Sequence, residues 1–288
     1  MTSFATLSVL SVSLYECINR VGSELESRRC TYIAFKNHPF MRYRNPCSAV
    51  LLKKVSLKHG KTKLVPKKEY PYRSVVKSLN VLLQRPNILE KLDLWKQRSV
   101  PDGLLTDVYD GKIWKEFMMI NDEPFLSGET TYGFMLNVDW FKPFKRTQYK
   151  VGAIYLVVLN FPRLERFLRE NLILVGIIPG PGEPNYVMNT YLAPTDLQDL
   201  WKGVEMKLPT GNKLVRAALL CTGCDIPANK KLCGFRGFGS ARGCNRCFKL
   251  FEGSGFHKSY ADFDRNLWPK RTNPVSYTHL TLPTIYSV

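Results

Sequence analysis

The sequence predicts an α/β fold in which a basic, partly helical N-terminal region precedes a core of strands and one crossover helix. Two observations predict it. Residues 74–84 carry apolar residues at helical spacing, which is typical of an amphipathic helix. Beyond about residue 100, short apolar runs rich in β-branched residues alternate with turn residues, which is typical of strands. A chain of 288 residues is long enough for one or two such domains.

The N-terminal region is assigned to residues 1–100 and is expected to become helical only near its end. Its first helix is predicted from Ser74 to Gln84, where a proline follows and ends the run. A second helix is predicted from Asn87 to Trp95. The turn residues Pro101-Asp102-Gly103 then mark a boundary. We therefore expect a second unit, the core with the start of a cysteine-rich insertion, over residues 101–274.

Four apolar runs of strand length lie in this second unit. They are residues 134–138, 151–159, 172–178 and 214–221, and a helical pattern from Leu192 to Met206 separates the last two. Three strands that pair as a meander, a crossover helix and a fourth strand beside the first describe the ribonuclease-H-like core. The fourth run is alternatively the tail of a helix that continues into a strand.

Aspartates follow the first and fourth of these runs. Asp139 ends the first strand, and Asp225 comes four residues after the fourth run. Because these strands are neighbours in the predicted core, we expect the two carboxylates to lie close together. Adjacent carboxylates favour a divalent cation between them, and Mg²⁺ (or Mn²⁺) held there can activate water against a phosphodiester. The alternative is that each aspartate forms a turn or caps a helix.

The charge of the chain indicates a polyanionic partner. The formal net charge is +18, and half of the excess lies between Met41 and Arg73, where ten Lys/Arg residues accompany a single acid, Glu69. So large an excess opposes compactness through self-repulsion, and nucleic acid is the commonest polyanion. Interleaved tyrosines suit a groove that follows phosphates and stacks bases. The alternatives are a solvated surface, one that faces the ribosome or a membrane, or a basic flexible linker.

No apolar run reaches the roughly 18 residues that a membrane span needs, and the N-terminus lacks the basic start of a signal peptide. We therefore expect no membrane partner and a reducing, intracellular location for the eight cysteines. Candidate contacts to DNA phosphates come from the basic stretch and from arginines beside a cysteine cluster. They are Arg42, Arg44, Lys53, Lys54, Lys67, Lys68, Arg242 and Arg246.

The cysteine cluster spans residues 221–247. Two Cys-x-x-Cys pairs, Cys221/Cys224 and Cys244/Cys247, formally fit a four-cysteine zinc site. Alternatively, the first pair ends an apolar strand as small buried hydrophobes, and only the second pair forms a zinc knuckle. Its further ligands would then be Cys233 and His257, or lie beyond the chain. Three other residues, Cys30, His38 and Cys47, fit no standard zinc spacing, so we interpret them as ordinary core or surface residues.

Five segments carry a resemblance to a known family. They are VYDGKIW at 108–114, MLNVDWFKPF at 135–144, IIPGP at 177–181, AALL at 217–220 and DIPA at 225–228. In this order they resemble the transposases of CACTA-type (En/Spm-like) DNA transposons, in the form found in animal genomes. The resemblance runs from about Cys30 to Asn273.

The resemblance implies a cut-and-paste transposase with a ribonuclease-H-like catalytic domain and an Asp-Asp-Glu metal triad. Asp139 matches the first acid and Asp225 the second. No position here matches the third, a glutamate downstream of the cysteine-rich insertion, so this chain is expected to bind DNA weakly without cutting it. Asp107 and Asp110 precede the core and are interpreted as turn residues. The partners implied are transposon-end DNA in the nucleus and, for a full-length protein, further copies of itself.

The last residues, 275–288, look like a translated sequencing adapter, and we leave them out of the fold. The alternative is a real β-strand, which their Val, Tyr and Thr content permits. The adapter interpretation predicts an incomplete core and accounts for the missing third acid. Two rival functions remain: a non-catalytic DNA-binding protein derived from a transposase, and a nuclease that does not transpose.

Overall fold

The computed structural model describes residues 5–7, 29, 45, 48, 50, 52–67, 70–101, 103–183, 196–232, 244, 247–253, 257, 259 and 268–269. Its strands are β1 (Ala5–Leu7), β2 (Leu52–Ser56), β3 (Thr62–Pro66), β4 (Tyr70–Tyr72), β5 (Met119–Ile120), β6 (Glu123–Pro124), β7 (Thr131–Phe141), β8 (Val151–Val158), β9 (Leu172–Ile178), β10 (Val204–Leu208) and β11 (Gly211–Thr222). Its α-helices are α1 (Val75–Leu83), α2 (Ile88–Asp93), α3 (Lys112–Glu116), α4 (Asp196–Lys202) and α5 (Ile226–Leu232). The predicted adapter segment lies outside these residues.

Within the described residues, seven strands form a mixed sheet in the order β1-β4-β9-β8-β7-β11-β10. Strands β7, β8 and β9 are an antiparallel meander, and β11 runs parallel to β7 on the meander's other side. The prediction of an α/β fold is confirmed, and so are the three-strand meander and the placement of the fourth apolar run beside the first.

The crossover between β9 and β11 differs from its prediction. The helical pattern from Leu192 to Met206 was expected to be one helix, but α4 ends at Lys202 and strand β10 begins at Val204. Gly203 separates them with φ +111°, a conformation that ends a helix and that other residues rarely adopt. Strand β10 then pairs antiparallel with β11. Residues 192–195 lie outside the described part of the chain.

The predicted helix from Ser74 to Gln84 is confirmed as α1. The Ser74 hydroxyl caps it by accepting a hydrogen bond from the backbone N–H of Lys77 at 3.2 Å, and Gln84 is the C-cap. The second predicted helix is confirmed as α2 followed by a 3-10 turn over Leu94–Gln97. Strand β4 belongs to the main sheet, and both helices contribute buried residues to its core.

Two hydrophobic clusters cover the sheet. Side chains alternate along a strand, so Tyr132, Phe134, Leu136 and Val138 of β7 face one cluster while Met135 faces the other. We call the first the helix cluster, because α1, α2 and α5 contribute Leu79, Leu92 and Leu232 to it. The tryptophan cluster on the opposite face contains Trp95, Tyr109, Trp114, Phe117, Phe125, Leu126, Leu159 and Ala218.

The tryptophan cluster joins residues from both sides of the predicted boundary near residue 101. Trp95 stacks on Tyr109 with ring centroids 5.5 Å apart and meets Trp114 edge-on at 5.0 Å. Asp107 and Asp110, interpreted as turn residues, form the capping box of the 3-10 turn Val108–Asp110. The 3-10 turn closed by this capping box therefore holds Tyr109 in the tryptophan cluster. The division into two domains stays a prediction.

Candidate metal-binding site at the ends of two parallel strands

A β-bulge sets the register between β7 and β11. Leu219 pairs with Phe134, and Cys221 pairs with Met135, so Leu220 is the extra residue. Leu219 packs on the helix cluster, whereas Leu220 and Cys221 both pack on the tryptophan cluster. Because side chains alternate between faces, one extra residue moves every later side chain of β11 to the opposite face.

The ladder continues beyond the last strand residue, Thr222. The N–H of Gly223 donates to the carbonyl of Leu136 at 2.9 Å. The N–H of Val138 then donates to Sγ of Cys224 at 3.1 Å, so a thiol takes the place of a backbone acceptor. Continued one step further, this register would bring Asp225 opposite Asp139.

From the alternation of side chains we infer that both aspartates lie on the face of the tryptophan cluster. Asp139 follows Met135 and Asn137 by the alternation of β7. A Cβ atom at Gly223 would meet Sδ of Met135 at 2.6 Å and Oδ1 of Asn137 at 3.0 Å, so position 223 also points to this face. Asp225, two residues later, returns to it. The absence of a side chain at Gly223 lets the chain after β11 stay close to β7.

Each aspartate is exposed and uses one carboxylate oxygen locally. Oδ1 of Asp139 accepts from the N–H of Trp140 at 2.8 Å, and Oδ1 of Asp225 accepts from the N–H of Ala228 at 2.7 Å. Asp225 therefore caps helix α5, as one of the sequence interpretations allowed. Within the described residues, neither Oδ2 atom has a hydrogen-bond or ion-pair partner. Two such oxygens at one end of a sheet are the kind of ligand that hard divalent cations take.

Cys224 lies in the field of both aspartates. Burial raises the pKa of its thiol, and the negative charges of Asp225 and Asp139 raise it further. Tyr155 pairs with Asn137, and its phenol pKa is raised by burial and then by the charge of Asp139. The charge of Asp139 thus acts on both Cys224 and Tyr155, and the charge of Asp225 acts on Cys224. At neutral pH the thiol stays protonated and also donates to the carbonyl of Leu136 at 3.8 Å.

Helix α5, which begins after Asp225, is tied to the loop after β9. Lys231 of this helix and Lys150 both donate to the carboxylate of Glu183, the latter at 2.9 Å. These hydrogen bonds hold the pKa of Glu183 below its usual value. The N–H of Lys150 also donates to the carbonyl of Pro181 at 3.0 Å. The PGPGE segment thus fixes the helix that Asp225 caps.

Cys221, Cys224, Cys244 and Cys247 form no disulfide with another described residue, and each is partly buried. Within the described residues, no group of three or more His, Cys, Asp or Glu side chains is arranged to hold a metal ion. Cys221 and Cys224 pack against the two core clusters, which favours their interpretation as buried residues over the four-cysteine site. Cys244 lies near the buried Lys230, and His257 is exposed. Cys233 lies outside the described residues, and zinc at Cys244 and Cys247 stays a prediction.

The candidate DNA contacts are only partly described. Lys53 and Lys54 lie on β2 and Lys67 follows β3, and all three are exposed. Arg42, Arg44, Lys68, Arg242 and Arg246 lie outside the described residues, as do Cys30, His38 and Cys47. No helix among the described residues is long and apolar enough to cross a membrane.

Sequence reasoning singled out the two aspartates but missed the residues that bring them together. Cys224 was interpreted only as a zinc ligand or a small buried hydrophobe, and Gly223, Asn137 and Leu220 were given no role. The number of residues between these positions and Asp225 can be counted in the sequence. The β-bulge between Leu219 and Cys221, which decides the face on which the later side chains lie, cannot be predicted from it.

A comparison with protein families identifies the chain. A sequence model described as transposase family tnp2 matches residues 102–260, more than half of the 288 residues. The chain belongs to this transposase family. The tnp2 match covers β7 to β11, both aspartates and the cysteine cluster. It leaves out β2, β3, α1 and α2. Among curated proteins, no sequence matches the chain.

Membership of the tnp2 family makes this a transposase-derived protein and implies DNA as its partner. The matched region contains VYDGKIW, IIPGP and the segments around the two aspartates. Each of these segments contributes to the β7–β11 site or to the clusters that support it.

Proposed function

We propose that the chain carries part of the catalytic domain of a cut-and-paste DNA transposase of the CACTA type, in the form found in animal genomes. A ribonuclease-H-like core is supported by the β7-β8-β9 meander with β11 parallel to β7. The observation that carries the proposal is the parallel pairing of β7 with β11, whose register, continued past Thr222, brings Asp225 opposite Asp139 on one face of the sheet.

Asp139 and Asp225 are proposed to hold Mg²⁺ or Mn²⁺. Their Oδ2 atoms have no partner among the described residues, and Mg²⁺ keeps several waters when only one or two carboxylates bind it. A cation there would supply an activated water or 3′-hydroxyl and stabilise the leaving oxygen of a phosphodiester. The residues of the chain would place it: Cys224 keeps the two strands in register, and α5 orients Asp225.

The resemblance implies a third acid, a glutamate downstream of the cysteine-rich segment, and no residue here matches it. Two carboxylates hold a catalytic metal weakly, so we expect this chain to bind Mn²⁺ but not to cut DNA. Zinc at Cys244 and Cys247, completed by Cys233 and His257, nuclear location and self-association of the full-length protein are further parts of the proposal.

The first test measures metal binding by the chain itself. Free Mn²⁺ is titrated by electron paramagnetic resonance with the unmodified chain and with the variants Asp139→Asn and Asp225→Asn. We expect each variant to lower the affinity by about 10-fold or more, because a ligand is lost. Asp122→Asn, another exposed aspartate, which lies in a turn, is the matched control and should change nothing. Equal affinities in all four proteins would refute the site.

The second test separates the enzyme from a non-catalytic DNA-binding protein derived from a transposase. It uses a longer protein that includes a glutamate downstream of the cysteine-rich segment. Asp139→Ala and Asp225→Ala should each abolish Mg²⁺-dependent strand cleavage there while leaving DNA binding in EDTA unchanged. Cleavage that survives both substitutions contradicts the catalytic assignment. A strand-transfer assay then distinguishes a transposase from a nuclease.

A further inference from the structure

The basic hairpin, residues 52–66, is a two-stranded ribbon that is not part of the seven-stranded sheet. Strands β2 and β3 pair antiparallel over five residue pairs. The N–H of Leu57 donates to the carbonyl of Lys61 at 2.7 Å and closes the tip. His59 and Gly60 turn the chain there with φ of 66° and 71°. The ribbon therefore has a defined register and a tight end.

The hairpin and the residue after it carry only positive charge. Residues 52–67 contain no Asp or Glu and six lysines: Lys53, Lys54, Lys58, Lys61, Lys63 and Lys67. All six are exposed. None forms an ion pair with another described residue, although eight ion pairs occur between other described residues. Like charges this close repel one another, so the ribbon is suited to an anionic partner.

The lysines lie on both faces of the ribbon. Cross-strand partners share a face: Lys53 pairs with Val65 and Lys63 with Val55, which puts both lysines on one side. Lys54 pairs with Leu64 on the other side. A ribbon that lies against a single phosphate backbone needs charge on one face only. Charge on both faces fits a ribbon that has a phosphate backbone on either side of it.

The dimensions and composition of the basic hairpin favour duplex DNA as its partner. The major groove of B-form DNA is about 12 Å wide and admits a two-stranded β-ribbon, and a five-residue strand is about 17 Å long. The deep, narrow major groove of A-form RNA excludes side chains. Residues 52–67 contain no Arg, Asn or Gln, the side chains that bind base edges in a bidentate manner.

We propose that the basic hairpin inserts into the major groove of duplex DNA and binds the phosphates of both strands without reading the base sequence. This deepens the proposed function by giving it a mode of DNA binding, and it lies outside residues 102–260 that match the family.

The test measures binding of the full chain to a fluorescent B-form duplex by anisotropy, in EDTA and over a range of salt concentrations. The hairpin variant is Lys53→Gln/Lys54→Gln/Lys63→Gln. The control, Lys96→Gln/Lys112→Gln/Lys213→Gln, removes the same charge from lysines that are ion-paired. The hairpin variant should bind at least about 10-fold more weakly and lower the salt slope by about 3. Equal effects of the two variants would refute the proposal.

Single substitutions test the two faces. Lys53→Gln and Lys54→Gln should each lower the salt slope by about 1. An effect of only one of them shows a ribbon lying on one backbone and overturns the insertion.

Blocked grooves test the location. DNA with glucosylated 5-hydroxymethylcytosine, which fills the major groove, should bind the unmodified chain about as weakly as the hairpin variant binds plain DNA. Netropsin in the minor groove should have no effect. The reverse pattern, or equally tight binding to a duplex RNA, overturns the proposal. Because no metal is present, these outcomes do not depend on Asp139 and Asp225, and the hairpin can fail while the catalytic proposal stands.

Discussion

Leu219 and Cys221 are two residues apart in the chain but lie opposite consecutive residues of β7, Phe134 and Met135. The residue between them, Leu220, packs against Gly133, where a Cβ atom would meet Leu220 at 2.7 Å. This bulge decides which face Asp225 occupies. If Leu220 paired with Met135 in a regular ladder, Asp225 would follow the alternation of Leu219 onto the face of the helix cluster, opposite to Asp139.

Insertion of one alanine between Cys224 and Asp225 should weaken metal binding although no proposed ligand is changed, because it turns Asp225 to the face of the helix cluster. We expect the Mn²⁺ affinity to fall about as far as in Asp225→Asn, by 10-fold or more. Deletion of Leu220 removes only the extra residue, leaves Cys221 opposite Met135 and should keep the affinity. An insertion variant that folds by circular dichroism and binds Mn²⁺ normally contradicts the shared face of the two aspartates.

Cys224 is expected to position Asp225. Cys224→Ala leaves the N–H of Val138 without its acceptor, which costs about 1–3 kcal/mol of unfolding free energy and loosens the end of β11. Cys224→Ser supplies a hydroxyl acceptor and should recover most of the Mn²⁺ affinity. Cys221→Ala is the matched control: this thiol is also partly buried, has no described hydrogen bond, and should leave metal affinity unchanged. If serine rescues stability but not Mn²⁺ binding, Cys224 has a purely structural role.

The buried ion pair between Arg166 and Asp107 should support the tryptophan cluster. Their atoms are 2.8 Å apart, and the side chains are only 4% and 9% exposed. Arg166→Met leaves the Asp107 carboxylate buried without a counter-charge, so we expect a loss of about 3–5 kcal/mol in urea unfolding. Adding Asp107→Asn removes that charge and should recover part of the loss. Lys213→Met, which breaks an exposed pair with Glu129, should cost less than about 1 kcal/mol.

Stability should fall at alkaline pH. Burial raises the pKa of the Cys221 and Cys224 thiols above 9.0 and that of the Tyr132 phenol above 10.0. The unfolded chain then loses these protons at a lower pH than the folded chain. The stabilisation present at neutral pH is therefore lost as pH rises through 9 and beyond. Tyr132→Phe should flatten the decline above pH 10 in urea titrations, and an unchanged slope would contradict its contribution.

The described elements were largely predictable from local patterns. Helix α1 has an apolar period, a serine cap and a following proline, and β9 coincides with a run of β-branched and apolar residues bounded by turn residues. The prediction of one helix from Leu192 to Met206 was wrong at its C-terminal end. Leu200 and Met206 are buried in the same cluster, and an apolar residue at position 206 is compatible with either a helix or a strand. The spacing of apolar residues alone could not distinguish helix from strand after Lys202, and the positive φ of Gly203 is where the helix ends.

The sequence by itself determined that the chain has an α/β core with aspartates near the ends of two of its strands, and that positive charge is concentrated between residues 41 and 73; β7 itself runs two residues past Asp139 to Phe141. Alternation, turn residues and charge are local properties, so they can be read along the chain. Only the tertiary structure decided that Asp139 and Asp225 share a face, because that depends on a bulge at Leu220 and on the thiol of Cys224 bonding to a strand 86 residues earlier. Pairing between distant strands is a property of the register, and one residue more or less reverses it.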